Sequence, residues 1–73
     1  MENELVRPGI YRHFKGNDYE VIGVAKMLDT EKWYVVYRPL KGDGTMHLRE
    51  VREFTEEVTR DGITQPRFKS LET

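Results

Sequence analysis

The sequence contains no cysteine and only one serine, Ser70. Without cysteine the chain has no disulfide bond, no thiolate zinc site and no cysteine nucleophile. Neither histidine is a sequence neighbour of Ser70, so the pattern does not favour a serine nucleophile activated by an imidazole. Packing must therefore supply the stability of the fold, and covalent catalysis of these kinds is not predicted.

Long hydrophobic runs and an excess of one charge are also missing. No apolar stretch approaches the roughly 20 residues needed to cross a bilayer. Residues 1–5 have neither the basic nor the apolar segment of an export signal, so we predict a cytoplasmic protein with no membrane contact. The 12 Lys and Arg and the 13 Asp and Glu give a formal charge of −1. Because both signs are mixed along the chain, the composition argues against a uniformly basic nucleic-acid binder.

The length of 73 residues leaves room for one small domain. A chain of this size buries only about 60% of the surface that its unfolded form exposes, so its core is a single shell of large side chains. The first strong turn signal is Pro8-Gly9. We predict a flexible N-terminus over residues 1–6, one domain over residues 7–69 and a flexible C-terminus over residues 70–73.

The chain is rich in short β-prone segments separated by turns. Aromatic and β-branched residues favour strands over residues 9–14, 19–28 and 33–38. Gly23 lies inside the second of these, where a bulge or a sharp bend fits. Asp61-Gly62 has the composition of a type I′ turn and predicts a hairpin near the C-terminal end.

The region after residue 45 changes its periodicity. We expect Met46 and Leu48 to face the core from a short strand. Apolar residues then recur at helical spacing through Val51 and Phe54, which predicts one short helical or 3₁₀ turn near residues 49–54. Together these features predict a mainly all-β fold, a small SH3-like barrel of five to six short strands.

Aromatic and basic residues are concentrated in the first and third predicted strands. Tyr11, His13 and Lys15 alternate along one side of the first strand. In the third strand Trp33 and Tyr37 share a side and Arg38 lies on the other. An aromatic ring beside a cation is typical of surfaces that bind peptides, methylated lysine or single-stranded nucleic acid. The candidate ligand-binding residues are Tyr11, His13, Lys15, Trp33, Tyr37 and Arg38.

The same rings have a structural interpretation, because a tiny barrel needs its aromatic side chains for its core. On that interpretation Tyr11 packs inward, His13 fills a polar gap and the charges are solvated. The functional hypothesis is a binding module for a peptide, a nucleotide or single-stranded nucleic acid. It becomes testable once the six side chains are located.

Two alternatives remain open. One is a structural or self-associating domain, a monomer or weak homodimer that pairs through an exposed edge near residues 66–68. The other is a small enzyme or metal site that uses His13 and His47, which requires the two imidazoles to approach within about 3–4 Å, given metal–nitrogen bonds near 2 Å. Their sequence spacing matches no metal-binding motif, so we predict no metal, no cofactor and no catalytic residue, and we favour a protein that is not an enzyme.

Several blocks of the sequence, taken in order, resemble a known family. These blocks are PGIYRHFKGN at residues 8–17, YEVIGVA at residues 19–25 and VVYRPL at residues 35–40, followed by Arg49, Phe54, Glu57-Val58, Asp61-Gly62 and Pro66-Arg67-Phe68. The order resembles a small bacterial family known only as a domain of unknown function, over about residues 7–68. The resemblance implies a compact, β-rich, SH3-like domain without an assigned activity. Residues 46–48 depart from the family pattern, in which an aromatic and an aliphatic residue are expected.

Overall fold

A computed structural model of the protein describes residues 6–71, which form seven strands and one helical turn. The elements are β1 (Gly9–His13), β2 (Asp18–Met27), β3 (Lys32–Pro39), β4 (His47–Glu50), α1 (Val51–Phe54), β5 (Glu57–Arg60), β6 (Ile63–Pro66) and β7 (Phe68–Ser70). The all-β prediction and the helical turn near residues 49–54 are therefore confirmed. The strands number seven rather than five to six.

The strands form two antiparallel sheets. The main sheet has the order β4-β3-β2-β1-β7, and the hairpin β5–β6 is a separate two-stranded sheet. No ladder joins β4 to β7 within residues 6–71, so the main sheet does not close fully into a barrel. In a flat sheet β3 and β7 would lie about 14 Å apart, three strand spacings. The ring centroids of Tyr37 and Phe68, from these two strands, are only 5.4 Å apart, which shows that the sheet curls strongly over its inner face.

A β-bulge in β2 explains how this strand packs. The ladder to β3 pairs Val21 with Tyr37 and then Gly23 with Val36, so Ile22 is the extra residue. Because the bulge inserts one residue, it shifts the alternation of side chains, and Val21 and Val24 both face inward. Apolar residues before and after the bulge therefore pack into the same core face. The bulge predicted around Gly23 is confirmed.

The core is a small shell of valines and aromatic rings. The buried residues are Val6, Val21, Val35, Tyr37, Val51, Phe54 and Phe68, with Tyr11, Tyr19, Val24 and Trp33 packed against them. Helix α1 contributes two of them, which lie three residues apart and so share one side of the helical turn. Its Thr55 N–H donates to the carbonyl of Val51 at 3.0 Å and ends the turn. This turn covers the inner face of the curled sheet.

Two turn positions need a left-handed backbone. Asp61 and Gly62 have φ of 55° and 79°, the positive values that a type I′ turn requires at both positions. The hairpin predicted from this dipeptide is formed by β5 and β6.

The orientation predicted for the fourth strand is wrong. Met46 and Leu48 are 55% and 60% exposed. The ladder places Leu48 opposite Val36 on the outer face, and it places His47 opposite Tyr37 on the inner face. The buried side chains of β3 thus decide the orientation of this edge strand, and its own apolar residues do not.

Residues near both predicted domain boundaries take part in the packed structure. Val6 is only 2% exposed and belongs to the core, although the sequence placed it in a flexible end. At the other end Ser70 is part of β7, and the Leu71 N–H donates to the carbonyl of Ile10 at 2.9 Å. The flexibility predicted for residues 1–5 and 72–73 lies outside the described residues.

Candidate functional site

Two of the predicted ligand-binding residues are part of the packing. Tyr37 is 4% exposed, and its ring makes edge contacts with those of Phe54 and Phe68 at 5.5 and 5.4 Å. The Tyr11 ring also packs edge-on against Phe54, at 5.5 Å, and its hydroxyl donates to the carbonyl of Arg7 at 2.9 Å. Rings from the first and third strands therefore come together only through Phe54, which both of them contact in the core.

Arg38 and Trp33 lie at opposite ends of β3, and Trp33 packs against the edge of the core. Arg38 is on the outer face of β3, where its Nη2 donates to Oε1 of Glu20 at 3.0 Å. Trp33 is at the opposite end of β3, with the Lys26 Nζ 5.8 Å from its ring centroid. Sequence alternation alone had separated Arg38 from Tyr37, and the structure adds that Arg38 already has a carboxylate partner.

His13 and Lys15 remain close together. The backbone N–H of Lys15 donates to Nδ1 of His13 at 3.1 Å, so a neutral imidazole carries its proton on Nε2. The Lys15 Nζ lies 5.9 Å from the ring centroid of Phe14. Two of the six predicted residues thus share a surface, and we use this surface as the starting point for the site.

A groove opens beside His13, between the β1–β7 edge of the main sheet and strand β6. We call it the basic groove, and it encloses about 360 Å³. Its lining residues are Arg12, His13, Phe14, Gly16, Gln65, Pro66, Lys69 and Leu71. No carboxylate lines it among the residues that the structure describes.

Two other grooves have a mixed lining. One encloses about 440 Å³ beside Tyr19 and includes both Asp18 and Lys41. The other, also about 440 Å³, lies against Trp33 and includes Glu31 and Glu50 together with Lys32 and Arg52. Of these three grooves the basic groove therefore has the clearest preference for a ligand of one charge.

Phe14 lines the basic groove, and cations from separate elements lie near its ring. Arg60, at the end of β5, places its guanidinium carbon 5.9 Å from the Phe14 ring centroid. Lys15 reaches the same ring at the same distance from the β1–β2 turn, and the His13 ring is 4.4 Å away and tilted by 33°. The result is an aromatic pair surrounded by positive charge.

Cations also meet across the β1–β7 ladder. Arg12 and Lys69 are directly opposite each other, an arrangement of like charges that destabilises a sheet. The Arg12 guanidinium is held on its other side by Asp18, with Nε donating to Oδ1 at 2.8 Å. This hydrogen bond is the main cause that lowers the pKa of Asp18. The Lys69 charge has no comparable ion pair within the described residues.

The electrostatics of His13 reflect its surroundings. Burial is the largest cause that lowers its pKa, followed by the positive charges of Arg67, Lys15 and Arg49. Arg67 gives one nitrogen to Glu56, at 2.8 Å, while its Nε is buried and makes no hydrogen bond in the described structure. A guanidinium is thus held near His13 with one of its donors unused, an arrangement that normally costs stability.

Sequence reasoning missed Arg12, Phe14, Arg60, Arg67 and Lys69 as site residues. Arg12 and Phe14 lie on the side of the first predicted strand opposite to the candidate row, and the other three come from β5, the segment between β6 and β7, and β7. Their proximity to His13 depends on β7 pairing with β1, a contact between opposite ends of the chain. Only the density of basic residues among 60–69 was visible beforehand, and it resembles a solvated face.

The alternative of a metal site at His13 and His47 can be compared with the same geometry. His13 is on β1 and His47 on β4, with two strands between them in the sheet. Within residues 6–71 no group of three His, Asp or Glu side chains is placed to hold a metal ion. In the same part of the chain, no helix has the length and apolar character of a membrane span.

The architecture is that of a small all-β domain with a basic groove at one edge of its main sheet. The chain belongs to the family described as a protein of unknown function (DUF1653), whose sequence pattern matches residues 9–70. It is similar to the crystal structure of a protein from the same family in Bordetella bronchiseptica, with 35% identity and a TM-score of 0.85. That similarity covers 94% of this chain and 91% of the other. No curated protein matches the sequence.

Proposed function

We propose that this protein is a binding module for a phosphate-bearing ligand with a planar base, a nucleotide or single-stranded nucleic acid, which it holds in the basic groove. One observation carries the proposal. Lys15 and Arg60, from separate elements, both lie against the ring of Phe14 at one end of a groove that Arg12 and Lys69 also line. A positive groove with an aromatic ring is the usual means of binding single strands, because every base has a face that can stack.

The ring of Phe14 remains usable although two cations lie beside it. Both cations are near the outer limit of about 6 Å for a cation–π contact, and both side chains are exposed. A base that stacks on the ring can move them aside, while their charges stay within reach of its phosphate. The Nε2–H of His13 supplies one further donor to an anionic oxygen.

The overall charge of the protein is consistent with local recognition. Four of its 12 basic residues either line the groove or contact Phe14: Arg12, Lys15, Arg60 and Lys69. Asp18 is the carboxylate that forms an ion pair with a member of this set, Arg12. Since the whole chain carries −1, the rest of its surface repels nucleic acid and favours a ligand seated in the groove. We propose the cytoplasm as the compartment where such ligands are met.

The test is fluorescence anisotropy of a labelled, mixed-sequence single-stranded octanucleotide at two salt concentrations, with an acidic peptide as the competing probe. We expect binding that weakens steeply with salt, because phosphate contacts release counterions. Lys69→Gln should lower the slope of log affinity against log salt by about 0.7, the value for one single-strand contact. Absence of oligonucleotide binding at low salt, or tighter binding of the acidic peptide, would overturn the proposal.

Self-association is the second candidate, and exposed Leu48 on edge strand β4 favours it. The edge near residues 66–68 exposes less apolar surface for pairing with a second copy than the sequence predicted, because the Phe68 ring is buried in the core. Pairing of β4 with a second copy about Leu48 would place His47 opposite Arg49 of that copy, which is unfavourable when the imidazole is charged. Sedimentation at two concentrations tests this candidate, and a persistent monomer excludes it.

A further inference from the structure

The length of the basic groove limits the choice of ligand more narrowly than the charge of the groove does. Two of its lining residues mark this length: Leu71 is level with Ile10, because its backbone N–H donates to the carbonyl of Ile10, and Phe14 directly follows β1. Four residue steps, along β1 and one residue beyond its end, separate Ile10 from Phe14, which corresponds to about 13 Å of extended chain. A stacked strand rises about 3.4 Å per nucleotide, so this length exceeds that of a mononucleotide and matches about three to four nucleotides.

The cations are distributed along this length in two groups. Arg60 and Lys15 surround Phe14 at one end, and Arg12 and Lys69 oppose each other across the β1–β7 ladder. A mononucleotide with its base on Phe14 engages the first group and leaves the Arg12–Lys69 repulsion in place. A longer strand brings a further phosphate to Lys69, which has no ion pair within the described residues while Asp18 already pairs with Arg12, and so relieves that repulsion.

We infer that the basic groove binds a single-stranded segment of three to four nucleotides, with one base on Phe14 and with phosphates at both the Arg60–Lys15 group and the Arg12–Lys69 pair. This inference rests on the proposed function and adds the size and direction of the ligand. The strand runs along β1, and the hairpin β5–β6 forms one wall of its site through Gln65 and Pro66. Arg60 of the same hairpin lies against the Phe14 ring.

The experiment is a length series of oligothymidylates with one, two, four and eight nucleotides, each competing with a labelled octanucleotide at low salt. We expect affinity to rise at least about tenfold from one to four nucleotides, a difference near 1.4 kcal/mol. From four to eight nucleotides the affinity should rise only by a small statistical factor, because a longer strand can place a four-nucleotide segment in the groove in several alternative positions.

Three variants locate the contacts, and all change exposed side chains. Lys69→Gln should weaken the tetranucleotide and leave thymidine monophosphate unchanged, whereas Arg60→Gln should weaken both. Lys32→Gln makes the same charge change beside Trp33, away from the groove, and should alter neither. Equal effects of Lys69→Gln on the two probes would place the whole ligand at one end and contradict the inference.

The outcomes separate the inference from the proposed function. If thymidine monophosphate binds as tightly as the tetranucleotide, the inference is wrong and the proposed function stands. If affinity continues to rise well beyond four nucleotides, the site is longer than the groove and the inference is again wrong. If none of the oligothymidylates competes while the acidic peptide does, the proposed function itself fails.

Discussion

The rings of Phe54 and Phe68 lie parallel in the centre of the protein, with 4.0 Å between their centroids and 3° between their planes. This contact joins the only helical turn among residues 6–71 to the last strand of the main sheet. Tyr37 packs edge-on against both rings. The three rings connect β3, α1 and β7, and their packing stabilises the curled shape of the sheet over its inner face.

Phe54→Ala should therefore strongly destabilise the fold. The side chain is 1% exposed, and replacing a buried Phe by Ala costs about 3–5 kcal/mol of unfolding free energy. Urea unfolding followed by circular dichroism measures the loss. Leu48→Ala is the matched control, because Leu48 is exposed on the outer face and its truncation should change stability by only about 0.5 kcal/mol. A larger effect at Leu48 than at Phe54 would contradict the packing described here.

Stability should depend on the protonation of His13. Its pKa is lowered in the folded protein from the ordinary value of 6.5, so the unfolded chain takes up this proton first as the pH falls. The contribution of His13 to stability is therefore complete above that value and is lost as the pH falls from 6.5 to the folded pKa. His13→Gln should flatten the dependence of unfolding free energy on pH in this window, measured by urea unfolding between pH 7.5 and 5.

The carboxylates act in a separate pH window. Hydrogen bonds lower the pKa of Asp18, through Arg12, and of Asp43, through Thr45, from the ordinary value of 3.8. Their stabilisation is present above 3.8 and is lost only at lower pH. A loss of stability between pH 7 and 5 that persists unchanged in His13→Gln would therefore show that His13 is not its cause.

Arg67→Met should raise the pKa of His13. The substitution removes one of the positive charges that disfavour the imidazolium, and it also removes the buried Nε that makes no hydrogen bond. An NMR titration of the His13 ring protons measures the shift, with Lys26→Met as a control that removes a cation next to Trp33 instead. An unchanged His13 titration in Arg67→Met would show that the guanidinium does not act on the imidazole.

Phe14→Ala should weaken binding of the octanucleotide without unfolding the protein. Loss of one base–aromatic stack costs about 1–3 kcal/mol, which corresponds to about a 5- to 150-fold loss of affinity. Trp33→Ala provides the comparison, since it removes a larger ring from a groove of mixed charge. A greater loss of affinity in Trp33→Ala would show that the ligand binds in the groove against Trp33 and not in the basic groove. Circular dichroism of both variants verifies that they are folded.

Local signals predicted most of the secondary structure. Asp61-Gly62 specifies its hairpin because these residues tolerate the positive φ that the turn needs. Gly23 lies beside the predicted bulge, and the spacing of Val51 and Phe54 predicts the helical turn. Each of these features depends on residues that are close in sequence, so no knowledge of distant contacts is needed to find them.

The candidate site was only half predicted. His13 and Lys15 were found because they lie on one local row, and a ladder contact places Lys69 beside them from the far end of the chain. Tyr37 and Arg38 alternate as expected, but alternation does not say which side is buried. Tyr37 is the buried one of the two, because its ring packs against those of Phe54 and Phe68.

The amino-acid sequence by itself determined where the chain turns, bulges and extends, since these properties follow from the dihedral preferences of a few adjacent residues. Only the tertiary structure decided that β7 lies beside β1 and that Arg60 reaches Phe14, because such pairings depend on which distant surfaces bury the most apolar area together. The same pairings turn scattered basic residues of a chain with a net charge of −1 into one positive groove.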